Sequence, residues 1–102
     1  MSEGPFPPLG PAQIAKLAET FRLIGDPTRL RILCACIEAP RPVGELAQSL
    51  GLAQNLVSHH LRLLREARLL RDDRQGKQVL YALDDAHISQ MLRDMAEHLS
   101  HD

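Results

Sequence analysis

The side chains most able to do chemistry lie near the C-terminus, where three of the five histidines occur within an acidic stretch. Residues 83–102 contain five carboxylate side chains and one arginine, which gives this stretch a net charge of −4. Its histidines are His87, His98 and His101. Imidazole nitrogens and carboxylate oxygens are common ligands of divalent transition metals. The tail is therefore a candidate cation site and a poor surface for DNA.

The middle of the chain carries the opposite charge. Residues 62–77 contain six cationic side chains and three acidic ones, a net charge of +3, although the whole chain has a net charge of −1. The distribution of charge matters more than its sum, because nucleic acids are bound through local basic surfaces. We therefore expect the middle segment to meet phosphates.

A helix-turn-helix is predicted at the start of this basic region. Residues 43–50 form a short helix, Gly51 makes a tight turn, and a further helix runs from about residue 53 to 67. The second helix of such a motif enters the major groove with its first polar side chains against the base edges. These side chains are Gln54, Asn55, Ser58 and His59, followed by Arg62, which is suited to phosphate. The alternative is a solvated helix face whose arginines only solubilise it. His60 is expected to be only a neighbour of the base-reading residues.

Residues 69–83 predict a β-hairpin after this helix. The sequence LLRDDRQGKQVLYAL gives two short strands, with Gly76 where a hairpin turn needs a positive φ. A hairpin in this position is the wing of a winged helix-turn-helix. Arg74 and Lys77 at its tip are expected to follow the DNA backbone or the adjacent minor groove.

Three further helices and an arm complete the expected fold, which is mainly α (α+β) in one domain over residues 11–102. Residues 1–10 contain three prolines and two glycines, and we expect a flexible arm there. The first helix spans Pro11 to about Ile24, and the second opens at Asp26-Pro27 and continues through Ile37. The last helix is capped by Asp84 and extends to about Ser100, with one apolar stripe.

Size and composition bear on assembly and compartment. A chain of 102 residues with only three aromatic residues has a small, aliphatic interior, so we expect it to gain stability as a homodimer. It has no apolar run of membrane-spanning length, and its N-terminus lacks a signal-peptide pattern. We expect a soluble, cytoplasmic protein without a membrane partner.

Three segments together resemble one known family. DPTRLRIL at 26–33, VGELAQSLGLAQNLVSHHLRLLREARLL at 43–70 and RQGKQVLYAL at 74–83 resemble the ArsR/SmtB metal-sensing repressors. The resemblance implies a homodimer, joined through its terminal helices, that binds an imperfect inverted repeat of double-stranded operator DNA. It implies release of that DNA when an inducer binds, with no small-molecule substrate and no enzymatic activity.

The resemblance also implies a ligand set on the last helix, Asp85, His87, His98 and His101, similar to the site of zinc and cobalt sensors in that family. His87 and His98 are eleven residues apart, about 16 Å along a helix, so one metal cannot reach both on a single helix. Two antiparallel helices of a symmetric dimer would form two equivalent sites. The alternative is that these are exposed histidines near a fraying helix end.

Three imidazoles and one carboxylate favour zinc as inducer, with cobalt second. Nickel is less favoured because it prefers five or six donors and the N-terminal arm offers neither His nor Cys. The resemblance further implies a relay in which the second ring nitrogen of His98 bonds to backbone near the end of the recognition helix.

Two cysteines, Cys34 and Cys36, leave a second hypothesis open. They stand two residues apart on a helix, so they chelate poorly together, and we expect both to be buried small apolar residues. Cys34 resembles the reactive cysteine of sulfide and persulfide sensors in the same family, although the cysteine that pairs with it there is missing. The alternatives are therefore a redox or persulfide repressor acting through Cys34, a metal-independent architectural DNA-binding dimer, and, least favoured, a metal-assisted hydrolase.

Overall fold

The computed structural model describes residues 4–101, which form five α-helices and a three-stranded antiparallel sheet. The order along the chain is α1 (Pro11–Ile24), α2 (Pro27–Ala35), β1 (Arg41–Pro42), α3 (Val43–Leu50), α4 (Gln54–Glu66), β2 (Leu70–Gln75), β3 (Gln78–Leu83) and α5 (Ala86–Leu99). This is the winged helix-turn-helix predicted from the sequence. Residues 4–10 form no helix or strand, and whether they are flexible stays a prediction.

Local capping signals explain where the first two helices begin. Pro11 and Pro27 occupy first helical positions, where a missing backbone N–H costs nothing. The Asp26 side chain accepts a hydrogen bond from the backbone N–H of Arg29 at 3.0 Å. The predicted end of α2 was two residues too late: the helix ends at Ala35, because the N–H of Cys36 is shared between two carbonyls and tightens the last turn.

The helix-turn-helix is formed by α3 and α4, and its turn depends on Gly51. This glycine has φ +70° and ψ 34°, a left-handed conformation that a side chain would strain. The N–H of the next residue, Leu52, bonds the carbonyl of Ala47 at 3.0 Å, which closes the end of α3. The chain then enters α4 at the predicted place.

The wing is a hairpin of β2 and β3 with a two-residue turn. Gln75 pairs with Gln78, and between them Gly76 has φ +64°, as the sequence predicted. The sequence did not predict β1, which pairs with β3 through Arg41 and Tyr81. Two residues, one of them a proline without an N–H, give no strand pattern, so only the neighbouring β3 defines this edge.

The core lies between α2, α3, α4 and the base of the wing, and it is aliphatic. Its large side chains are exposed by less than 2%; they are Ile32, Leu33, Leu46, Val57, Leu61, Leu64 and Leu70. This confirms the prediction of an aliphatic interior.

The last helix begins one residue later than predicted, and its cap differs from the predicted one. Asp85, rather than Asp84, is the N-cap: its Oδ1 accepts hydrogen bonds from the N–H of His87 at 2.9 Å and of Ile88 at 3.2 Å. Asp84 is held by the sheet instead, since its N–H donates to the carbonyl of Leu69.

Candidate DNA-binding face and metal-binding helix

The predicted base-reading side chains lie on one exposed side of α4. At 100° per residue, the five positions named above from Gln54 to Arg62 fall within about 140° of the helix circumference. All five residues are exposed, whereas Val57, Leu61 and Leu64 on the opposite side are buried. The burial of one side therefore leaves the polar side free to meet a partner.

The basic segment divides into residues with partners inside the fold and residues without. Arg71 donates to the carbonyls of Leu83 at 3.0 Å and Asp84 at 3.3 Å, which joins the base of the wing to the start of α5. Arg65 lies 3.7 Å from the Asp72 carboxylate and links α4 to β2. Sequence reasoning did not assign these two roles, because both depend on residues brought together by the hairpin.

The wing tip is exposed on both sides of its turn. Arg74 on β2 and Lys77 in the turn are exposed, and neither lies within 4.0 Å of a carboxylate oxygen among residues 4–101. These two charges and that of Arg62 on α4 are therefore available to phosphates.

His60 faces the protein interior, unlike His59. Its Nδ1 is buried and has no hydrogen-bond partner among the described residues. Burial lowers the pKa of His60, and the neighbouring Arg29 charge lowers it further. Close by, the hydrogen bond from the Arg29 backbone N–H lowers the pKa of Asp26. His60 therefore packs α4 against the start of α2 and does not join the base-reading set.

The four predicted metal ligands all lie on or beside α5 and are exposed. His87 is 97% exposed at its side chain, with its Nδ1 3.5 Å from Oδ1 of Asp85. His98 lies in the last turn of α5, and His101 lies just beyond its end. Within residues 4–101 no three His, Cys, Asp or Glu side chains come together in one chain.

The donor set nevertheless fits a tetrahedral metal if two chains contribute. Asp85 uses one oxygen for the helix cap, and Oδ2 accepts no hydrogen bond from a described residue, so it is free to bind a cation. Together with the imidazole of His87 it offers two donors at one end of α5, while His98 and His101 offer two at the other. Three nitrogens and one oxygen are an ordinary ligand set for zinc or cobalt.

Parts of the apolar sides of α1 and α5 are left uncovered by the described residues, 4–101. The exposed fractions are 51% for Phe21, 56% for Met95 and 62% for Leu99. Between the helices runs an apolar groove of 290 Å³, which continues past Cys34 into a second one of 190 Å³. Exposed apolar surface of this extent on two neighbouring helices is typical of an interface.

Comparison with known proteins gives this arrangement a family. The family model described as bacterial regulatory protein, arsR family, matches residues 26–72. The HTH-type transcriptional regulator NmtR of Mycobacterium tuberculosis is 38% identical over 97 residues, which cover 95% of this chain and 81% of that protein. This chain belongs to the ArsR family. The transcriptional repressor SmtB homolog of Synechocystis is 38% identical over 87 residues, 85% of this chain and 66% of that protein.

Solved structures agree with the ArsR-family assignment. The solution structure of apo-NmtR has a TM-score of 0.80 at 37% identity and covers 99% of this chain and 85% of that one. The homodimeric winged helix-turn-helix DNA-binding domain of Mb0332 from Mycobacterium bovis has a TM-score of 0.79 at 23% identity, covers 89% of this chain and 88% of that one, and shows the fold alone. Within residues 4–101 no helix is long and apolar enough to cross a membrane.

In this ArsR-family chain the two cysteines differ in environment, and the prediction that both are buried was wrong for Cys34. Cys34 is exposed at the second apolar groove, because α2 turns this position toward α5 rather than into the core. Cys36 is buried, and burial raises the pKa of its thiol to about 11. Cys36 is therefore an inert core residue, as predicted.

A charged contact joins α5 to the loop after α2. Nη2 of Arg93 donates to Oε1 of Glu38 in the loop after α2 at 3.2 Å. Ile88, Met91 and Leu92 add apolar packing against the core. These contacts join α5 to the loop after α2 and to the core beside the helix-turn-helix.

Proposed function

We propose that this chain is a metal-responsive transcriptional repressor. It binds operator DNA as a homodimer and releases it when zinc, or alternatively cobalt, binds between the α5 helices of two subunits. The observation that carries this proposal is the position of four donors, Asp85, His87, His98 and His101, at the two ends of a helix whose apolar side residues 4–101 leave exposed at Met95 and Leu99.

The proposed dimer is supported by the apolar grooves beside α1 and α5. Burial of half-exposed apolar side chains in a dimer interface stabilises the dimer by about 25 cal/mol for each Å² of apolar surface removed from water. An antiparallel pairing of two α5 helices covers Met95 and Leu99. The same pairing brings Asp85 and His87 of one chain to the histidines at the other end of the second α5, so one interface supports both the dimer and the ligand set.

The dimer binds DNA through the exposed polar sides of its two α4 helices, one from each chain, which are related by the two-fold axis. Gln54 and Asn55 are placed to read adenine, Ser58 and His59 a base or phosphate, and Arg62 phosphate. The wing charges at Arg74 and Lys77 add backbone contacts. A dimer of this kind reads two half-sites of an inverted repeat about one helical turn apart, so the angle between its subunits decides affinity.

Release of DNA then follows from a change in that angle. Bound zinc or cobalt supplies a cross-link between donors of the two chains and favours one dimer shape. The apolar packing of α5 and the contact between Arg93 and Glu38 carry this orientation to α4. A hundredfold loss of DNA affinity requires about 2.7 kcal/mol of difference in metal affinity between the two shapes.

The proposal is tested by fluorescence anisotropy with DNA from upstream of the chain's own gene, with and without one equivalent of zinc per chain. We expect zinc to lower DNA affinity tenfold or more and His98→Ala to abolish this response. Asp84→Asn is the matched control, since only the backbone of Asp84 is used in the fold and its variant keeps all four donors. Zinc that binds tightly in the wild type without changing DNA affinity refutes the inducer assignment.

A thiol-based repressor remains a second candidate because Cys34 is exposed at the groove. The test compares Cys34→Ser with the wild type. If the variant keeps the full zinc response and responds to persulfide as the wild type does, the thiol-based repressor is excluded. For both candidate functions we expect the chain to bind its operator in the cytoplasm.

A further inference from the structure

Arg65 lies on the exposed polar side of α4, although the predicted base-reading set does not include it. Counted at 100° per residue, its position falls between those of Gln54 and Ser58 around the helix. Its side chain is 46% exposed. The last turn of α4 therefore continues the side that the fold leaves free to meet a partner, and it adds a second arginine to Arg62.

Asp72, on the first strand of the wing, stands beside Arg65. Its Oδ2 lies 3.7 Å from Nη1 of Arg65, and 44% of its side chain is exposed. This distance is too long for a hydrogen bond, so the two groups interact through charge alone. Alternate residues of a strand point to one side, so Asp72 shares the face of β2 that carries the buried Leu70 and the exposed Arg74.

The guanidinium of Arg65 keeps its N–H donors free. Arg71 donates to two backbone carbonyls, whereas Arg65 donates no hydrogen bond to any side chain or carbonyl of residues 4–101. A guanidinium has five N–H donors in a planar fork that matches the geometry of phosphate. Arg65 is therefore able to bind a further anion, and the neighbouring carboxylate of Asp72 is the group that opposes it.

We propose that Arg65 is a further phosphate-binding residue of the DNA-binding face and that Asp72 limits its contribution. In the free chain the carboxylate of Asp72 offsets the charge of Arg65. In the complex with DNA the guanidinium exchanges this partner for a phosphate, to which its N–H groups donate. This inference rests on the proposed function and adds one residue and its restraint to the DNA-binding set.

The restraint acts on the part of DNA affinity that does not depend on sequence. Contacts to phosphate position a protein on the duplex but do not read bases, and they supply essentially all of non-specific binding. By offsetting one arginine in each chain, Asp72 lowers the affinity of the dimer for any duplex. A dimer that leaves its operator is then held less strongly by other DNA.

The other role open to this pair is structural, as a link between α4 and the wing. Exposed ion pairs stabilise a fold little, and Arg71 already joins the base of the wing to the start of α5 through hydrogen bonds. The two roles predict opposite signs. A structural link predicts that Asp72→Asn disturbs the wing and weakens DNA binding, whereas a restraint on Arg65 predicts tighter binding.

The experiment measures fluorescence anisotropy of the metal-free, full-length dimer with two labelled duplexes, one from upstream of the chain's own gene and one of scrambled sequence. We expect Asp72→Asn to tighten binding to both by about 3–20-fold, because an exposed ion pair shifts an equilibrium by up to about fivefold and the dimer contains two. The matched control is Asp73→Asn. It removes the same charge from the other face of β2, where the carboxylate bonds Gln75 at 3.5 Å, and should change affinity about twofold or less.

The arginine is tested in the same assay. Arg65→Ala should weaken binding to both duplexes, and between about 50 and 200 mM salt its salt dependence should be shallower by about 2, one for each phosphate contact of the dimer. Asp72→Asn should bring little further gain when combined with Arg65→Ala, because its effect requires the arginine. Arg65→Gln is expected to show the same loss and replaces the alanine variant if that variant fails to dimerise.

Four results would overturn the proposal. They are weaker DNA binding by Asp72→Asn, a gain no larger than that of Asp73→Asn, an equal gain in the presence and absence of Arg65, and an unchanged salt dependence in Arg65→Ala. A loss in Arg65→Ala that is confined to the duplex from the chain's own gene would show a base contact and would overturn the assignment to phosphate.

The wild-type measurements distinguish this inference from the proposed function. If the wild-type dimer binds neither duplex, the repressor proposal fails and the assignment of Arg65 fails with it. If the wild type binds its upstream DNA and releases it with zinc, while the variants of Arg65 and Asp72 bind both duplexes as the wild type does, only this assignment fails.

Discussion

Asp85 has two roles in this chain that substitution can separate. Its Oδ1 caps α5 through hydrogen bonds of 2.9 and 3.2 Å, while its other oxygen is the proposed metal ligand. Asparagine caps a helix as well as aspartate does, whereas alanine caps poorly and costs about 1 kcal/mol. Asp85→Ala should therefore lose both the cap and the ligand, and Asp85→Asn the ligand alone.

The expected magnitudes follow from these contacts. In metal-free buffer at one fixed subunit concentration, we expect Asp85→Ala to lower the melting temperature by about 4–8 °C, the shift for about 1 kcal/mol in a chain of this size. Asp85→Asn should stay near the wild type. Both variants should bind zinc about 100-fold more weakly or worse, because even the loss of an outer-shell group costs about 10–100-fold.

Thermal unfolding in the presence of a chelator and a zinc competition titration check this prediction. Asp84→Asn again serves as the control and should match the wild type in both assays. If Asp85→Asn loses as much stability as Asp85→Ala, the role of Asp85 as helix cap is refuted. If Asp85→Asn binds zinc as tightly as the wild type does, its role as metal ligand is refuted.

Two further predictions concern α4 and the turn that joins it to β2. Arg68 has φ +62°, a left-handed conformation that costs a residue with a side chain about 1–2 kcal/mol. Glycine removes this strain but costs about 0.5–1 kcal/mol of backbone entropy. Arg68→Gly should therefore raise the free energy of unfolding, measured in urea, by about 0.5–1 kcal/mol. Arg68→Ala keeps the strained backbone, and equal stability of the two variants would contradict this. Since burial lowers the pKa of His60, the unfolded chain takes up this proton first, and stability should fall as the pH drops below the ordinary value of 6.5. The urea midpoint followed from about pH 8 to pH 5 should fall less in His60→Gln, and parallel curves would exclude this group as the cause.

Most of the fold could be predicted because its boundaries depend on local chemistry. A proline at a first helical position, a capping Asp26, and glycines at left-handed positions 51 and 76 each act within a few residues, so the sequence shows them directly. The polar side of α4 was predictable for the same reason, since helical periodicity alone separates it from the buried side.

The candidate metal site could be predicted as a set of donors but not as a geometry. Spacing alone shows that Asp85 and His98 cannot meet on one helix, and it requires a second chain. It does not show that Asp85 also caps α5, because this role depends on side-chain hydrogen bonds at the helix start.

The order of the five helices and the wing, the polar side of α4 and the donor types of the tail follow from residue type and short-range spacing, so they could be inferred without a structure. Three other features became visible only in the folded chain: Arg71 bonds at the base of the wing, Cys34 faces a groove while Cys36 is buried, and Arg41 and Pro42 form a strand. Each of these features depends on contacts between segments far apart in the chain. Short-range sequence patterns do not show which distant backbone or side chain a residue contacts.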